Sequence, residues 1–151
     1  VEETERDIYQ LNDNEFKVTV NDLTENYNSN KDFVTLEAWK KCRDVKLLFY
    51  KKIIPLLPKE EKYNLDIQIR KCSISITANI SEGYGRFHYQ EGIQFYRISR
   101  ASLYELKDHL ISCYDLNYIS SELKFEAEEL IECAKRTLNG YIKFVKEKQN
   151  K

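Results

Sequence analysis

The sequence predicts an all-α fold: an antiparallel, up-down four-helix bundle preceded by an acidic N-terminal appendage. Three observations lead there. Apolar residues recur at three- and four-residue steps over four long stretches. Only four glycines and two prolines punctuate 151 residues, too few for a many-turned β fold. The stretches are joined by short connections, and amphipathic helices so joined bury their stripes against one another as antiparallel neighbours.

Residues 1–35 form the appendage and residues 36–148 the bundle. The first segment carries three Lys/Arg against nine Asp/Glu, and the remainder 21 against 16, so a net charge of −1 hides an acidic leader on a basic body. Val1 to Leu11 reads as a short acidic helix, Phe16 to Val20 alternates like a short strand, and Asn26 to Asn30 is a polar loop. Two readings of the leader stand open: solvated surface, or a shield for a basic face.

The first helix begins near Leu36. Trp39, Cys42, Val45, Phe49 and Ile53 make a single apolar stripe, and Pro55 and Pro58 end it by removing backbone donors. The second runs from about Leu65 to Glu82. Its packed face mixes Leu65, Ile69 and Ile76 with small or polar Cys72, Ser75, Ala78, Asn79 and Gly83. Such a face lets another backbone approach and buries groups that need hydrogen-bond partners. Gly83-Tyr84-Gly85-Arg86 reads as a left-handed glycine cap followed by a cation, not as a phosphate loop, because it follows a helix and lacks Gly-Lys-Ser/Thr.

The third helix spans about Tyr89 to Leu116, with Tyr96, Ser99, Leu103, Leu106, Leu110 and Cys113 inward. After a turn at Asn117 to Ser120, with Ser120 or Ser121 as N-cap, the fourth reaches about Lys146. It buries Leu123, Ala127, Leu130, Ala134, Leu138, Tyr141 and Val145.

Four motifs carry a family resemblance: Leu36-Glu37-Ala38-Trp39-Lys40-Lys41; Gln68-Ile69-Arg70-Lys71 followed by Ser75 to Arg86; Phe95 to Leu106; and, more weakly, Leu138-Asn139-Gly140. From about Phe33 to Val145 the chain resembles the small four-helix-bundle proteins encoded in intervening sequences of bacterial 23S ribosomal RNA. It departs from them at Ser81, usually Ala, and Ala101, usually Gly. Both replacements stay small, and nothing carries over to the acidic leader. The resemblance implies a homopentamer with a central channel. A related bundle is the accessory variability protein of diversity-generating retroelements, which partners a reverse transcriptase and binds nucleic acid. The resemblance thus implies a nucleic-acid-associated accessory protein rather than an enzyme. The ribosomal label describes where the gene lies.

The candidate nucleic-acid contacts are Lys71, Arg86, Arg97, Arg100 and Tyr84. Between Ile67 and Tyr104 five cations face only two acids, Glu82 and Glu91, with Phe87, His88, Tyr89 and Tyr96 interleaved. Cations mixed with rings suit phosphate contact and base stacking on RNA or DNA. The competing reading is structural: Arg70 and Arg100 pair with Glu82 and Glu105 within or between subunits, Asn79 holds helix register, and Gly83 permits close packing. Arg100 belongs to both readings.

No catalytic constellation emerges. The two histidines, His88 and His109, form no HExxH or Glu-x-x-His motif. The thiols of Cys42, Cys72, Cys113 and Cys133 lie at least 20 positions apart, which excludes CxxC and suits buried thiols in a reducing cytoplasm. No metal, cofactor or membrane span is expected. Outward Tyr50, Phe95, Tyr104, Tyr114 and Phe125 suit an oligomer interface, or pack along their own bundle. The function so read is a non-enzymatic oligomer that binds nucleic acid through basic surface. The alternative is a protein-interaction module docking on a reverse transcriptase or another nucleic-acid enzyme.

Overall fold

The computed structural model describes residues 32–151, and the unit treated below is Phe33–Lys151. The expected acidic helix, strand and loop of the leader lie outside the described residues. Within them four long helices follow one another: α1 (Glu37–Leu48), α2 (Leu65–Gly85), α3 (Tyr89–Asp115) and α4 (Ser121–Gln149), with no strand among the described residues.

Cross-helix pairs run in opposite chain directions. Lys46 and Tyr50 of the first helical segment meet Thr77 and Arg70. Ser75, Ile76 and Gly83 meet Ser102, Ser99 and Gly92, and Tyr96, Arg100 and Lys107 meet Tyr141, Asn139 and Glu132. Neighbouring helices are therefore antiparallel, and α1 also packs on α4 to close the bundle.

The stripes read from spacing form the core. Cys42, Val45, Phe49 and Ile53 are buried from the first segment, and Tyr96, Leu103, Leu106, Leu110 and Cys113 from α3. Each large apolar side chain so buried contributes about 1.5–3 kcal/mol. On α4, Ala127, Ala134, Leu138 and Val145 are buried as expected, Leu123, Leu130 and Tyr141 are only half-buried against the core, and Ile131 and Ile142 join the buried set. Phe33–Thr35 form a 3-10 turn, and the Phe33 ring meets Trp39 edge-on at 5.3 Å.

Helix ends show where local chemistry and packing compete. The first helix widens into a π turn over Phe49–Ile53 before a 3-10 turn at Ile54–Leu56. Pro55 lacks the N–H that the Lys51 carbonyl would accept from, so the regular ladder cannot continue. α3 ends in a Schellman motif: Asn117 is left-handed (φ 61), Tyr118 N donates to Cys113 O at 2.9 Å, and Asn117 N to Tyr114 O at 3.0 Å. At the start of α4, Ser120 Oγ accepts from Leu123 N at 3.1 Å. Ser120→Ala is expected to lower stability by about 1 kcal/mol, read as a shift in the urea midpoint.

Two expectations for α2 are corrected. The helix runs through both glycines to Gly85, and no glycine has positive φ. The left-handed position after α2 is instead taken by Phe87 (φ 53). Gly83 is there for packing: a Cβ on it would stand 2.7 Å from Tyr96 Cε1, 2.9 Å from Phe95 Cβ and 3.0 Å from Gly92 O. The small-residue face is also rotated from its expected position. Cys72, Ser73, Thr77 and Gly83 are buried, Ser75 and Asn79 are half-buried, and Ala78 faces out. The α2–α3 contact selects the helix face centred on Ile69, Ile76, Ile80 and Gly83, and Ala78 lies off it.

Candidate nucleic-acid interface

The helices string the cations along the bundle instead of gathering them in one patch. Lys71 on α2 and Arg86, which caps its C-terminal end, lie fifteen positions apart, about 22 Å at 1.5 Å per residue. Both are exposed. Lys71 forms no ion pair among the described residues, whereas Arg86 Nη2 donates to Glu82 Oε1 at 2.9 Å and lies 5.0 Å from the Phe95 ring centroid. Half its side chain still meets solvent, so it keeps donors for a ligand.

Arg97 is exposed and forms no ion pair among the described residues. It shares a cleft of about 320 Å³ with Gln90, Ile93 and Gln94 from the start of α3 and with Lys146, Gln149 and Asn150 from the end of α4. Lys146 too is without an ion pair among the described residues. Two cations and several amides on one concave surface supply charge and directed donors for an anionic, hydrogen-bonding ligand. The α4 half of this cleft was not among the sequence-derived residues. The signal was present in Lys143, Lys146, Lys148 and Lys151, a lysine-rich end close to one another in the chain.

The other expected residues fall differently. Tyr84 is only 7% exposed, so its ring is closed to base stacking, and its place among the nucleic-acid contacts is corrected. Tyr96 is fully buried, which leaves Phe87 and His88 as the exposed rings of that group. Arg100 Nη1 donates to Asn139 Oδ1 at 3.0 Å and ties α3 to α4. Arg70 pairs with Asp66 one turn back and lies over the Tyr50 ring, so within the chain it meets neither Glu82 nor Glu105. The hydrogen bond to Asp66 raises the Arg70 pKa first. Within the chain the expected Arg–Glu pairs are not made: Asp66 takes Arg70 and Arg86 takes Glu82 as i,i+4 neighbours, while Arg100 reaches Asn139 on α4.

Asn79 donates to Ser75 O at 2.9 Å and to Ser75 Oγ at 2.8 Å, and Ser75 Oγ meets Ser102 Oγ at 2.8 Å. Its amide thus reaches α3 through a serine pair. One turn away, buried Ser99 donates its Oγ proton to Ile76 O at 2.6 Å. These bonds fix the register of α2 on α3.

A second polar cluster escaped the sequence reading. Glu132 accepts from Lys107 at 2.9 Å and from Lys135 at 3.0 Å, and Lys135 lies 3.9 Å from the Tyr104 ring centroid. The hydrogen bonds from Lys107 and then Lys135 hold the Glu132 carboxyl below its ordinary range. This cluster joins α3 to α4 and sets the Lys135 ammonium on the ring of Tyr104, one of the aromatics expected at an interface, which itself remains exposed. Among the others, Tyr114 and Phe125 are exposed while Tyr50 and Phe95 are half-buried.

Burial pushes the Cys42 thiol up to about 12 and the Cys113 thiol up to about 11, which leaves both protonated and inert at neutral pH. Cys72, Glu105 and His109 converge across α2 and α3, although no sequence spacing links the first to the other two. None of the described helices is long and apolar enough to cross a membrane.

No curated protein matches the chain. A family model described as 23S rRNA-intervening sequence protein matches residues 34–140, a span that runs from the 3-10 turn before α1 into α4. With that span covering well over half of the sequence, the chain belongs to the 23S rRNA-intervening sequence protein family.

Proposed function

We propose that this chain is a non-enzymatic accessory protein that binds RNA or DNA through the end of the bundle built by Arg97, Lys146 and Arg86, and that it does so as a homo-oligomer. The observation that carries the reading is the Arg97–Lys146 cleft: two cations without ion-pair partners among the described residues, set beside Gln and Asn amides. Phosphate contacts of this kind supply affinity without reading sequence. Exposed Phe87 and His88 stand just past α2 to offer rings for stacking. A ring of identical chains, such as a pentamer, would repeat the cleft and add avidity to weak single contacts. Ile74 and Ile98, both about half exposed beside outward Ala78 and Ala101, give a low-relief apolar surface suited to a second copy. Free thiols suit a reducing compartment such as the cytoplasm.

A protein-partner reading is favoured by one feature, the groove of Lys46, Leu47, Tyr50, Lys51 and Ile74 between α1 and α2. An apolar floor rimmed by lysines suits an acidic amphipathic segment of a partner such as a reverse transcriptase or another nucleic-acid enzyme.

Fluorescence anisotropy with labelled single-stranded and duplex RNA and DNA separates the two. Affinity should fall about 10-fold or more between low and moderate salt. Arg97→Glu with Lys146→Glu should weaken binding by at least about 10-fold and flatten the salt slope. Binding indifferent to both salt and charge reversal defeats the nucleic-acid reading and leaves the protein-partner one.

A further inference from the structure

Cys72 Sγ, a Glu105 carboxylate oxygen and a His109 ring nitrogen all lie within 4.8 Å of one another. Glu105 and His109 stand one turn apart on α3, and Cys72 faces them from α2. The register that brings the helices together is held one turn away by the Ser75–Ser102 hydrogen bond. Cys72 is 3% exposed, and the His109 side chain 15% exposed. His109 Nε2 is buried without a hydrogen-bond partner among the described residues; Glu105 Oε1 at 3.6 Å is beyond hydrogen-bond length. Asp108 Oδ2 lies 3.8 Å from His109 Nδ1, near the opposite ring nitrogen but likewise beyond hydrogen-bond length.

We propose that Cys72, Glu105 and His109 form a binding site for a divalent transition-metal ion of the zinc type. One sulfur, one imidazole nitrogen and one carboxylate oxygen make a mixed donor set that zinc accepts, while magnesium and calcium prefer oxygen alone. Tetrahedral zinc would set its donors about 3.3–3.6 Å apart, so the present spread closes by roughly 1 Å. Rotation of the Glu105 side chain, half in solvent, supplies much of that movement.

Binding involves no redox change. The Cys72 S–H bond breaks, its proton passes to solvent, and the sulfur electron pair forms the metal–sulfur bond. His109 ligates through Nε2 and Glu105 through a carboxylate oxygen, and the Cys72 thiol gives up its proton on binding. Burial first, and the Glu105 hydrogen bond second, push the Cys72 thiol up to about 12. The thiol proton is therefore in place before the ion arrives. Three protein donors leave one position of a tetrahedral ion for water.

The test uses the reduced, untagged full chain titrated with Zn²⁺ alone and, separately, with Co²⁺ alone under anaerobic conditions. One ion per chain is expected by calorimetry, with a thiolate-to-cobalt charge-transfer band and a Zn²⁺-dependent rise in the thermal midpoint. Cys72→Ser should abolish the band and weaken Zn²⁺ at least 100-fold. His109→Gln should weaken it at least 10-fold, and Cys133→Ser should change neither. If far-UV circular dichroism shows Cys72→Ser unfolded, His109→Gln and Glu105→Gln decide the matter on Zn²⁺ affinity. No saturation at one equivalent, a band that survives Cys72→Ser, or unchanged affinity in a folded His109→Gln overturns the site.

Discussion

Replacing Tyr96 with alanine is expected to destabilise the bundle by about 3–5 kcal/mol, the usual cost of emptying a large aromatic site in a packed core. The Tyr96 ring is fully buried on α3. It packs at 5.0 Å on Tyr141 of α4 and fills the space over both Gly83 of α2 and Gly92 of α3. One side chain therefore joins three helices, and the backbones around it cannot close far enough to fill the void. A domain of this size has only about 5–15 kcal/mol to lose. Urea denaturation followed by circular dichroism measures the effect. A loss under about 1 kcal/mol would show that the α2–α3–α4 corner is loosely packed.

The second large effect is a reversal of sign between two helical glycines. Exchanging glycine for alanine inside a helix ordinarily gains up to about 1 kcal/mol. A Cβ placed on Gly140 of α4 would meet nothing within 4 Å, so Gly140→Ala should show that gain. Gly83→Ala should show no such gain and a net loss of up to about 2 kcal/mol, because steric strain of about 1–3 kcal/mol offsets or exceeds the propensity term. The nearest atoms include Phe95 Cβ at 2.9 Å and the Gly92 carbonyl at 3.0 Å, which cannot swing aside as a long flexible side chain would. Paired thermal or urea melts read the comparison directly. If both substitutions stabilise, α2 and α3 do not approach as closely as their glycines indicate.

The helices themselves were legible because their stripes repeat locally. Trp39 to Ile53 and Tyr96 to Cys113 show the helical period without any knowledge of neighbours, and Ser120 announces the start of α4 through a hydrogen bond three residues long in sequence. The π turn at Phe49–Ile53 was less accessible, since proline spacing signals a helix end but not the form of the last turn. The candidate interface was half visible. Arg86 and Arg97 are exposed as expected, while Tyr84 has the composition of a stacking residue and the position of a core one. Lys146 joined Arg97 only because an antiparallel α4 returns its C-terminal end to the start of α3.

Periodicity and composition, by themselves, determined that the body from about Leu36 onward is helical, which residues of α1 and α3 form the buried stripes, and that the charge is divided between an acidic leader and a basic body. Those properties depend on residues a few positions apart, where spacing alone decides which share a face. Tertiary structure decided the remainder: that Gly83 serves close packing rather than a cap, that Arg70 turns to Asp66, and that Cys72 meets Glu105 and His109. Each depends on the rotation and register of one helix against another, set by side-chain fit and by buried bonds such as Ser99 to Ile76. A one-dimensional repeat carries no record of that fit.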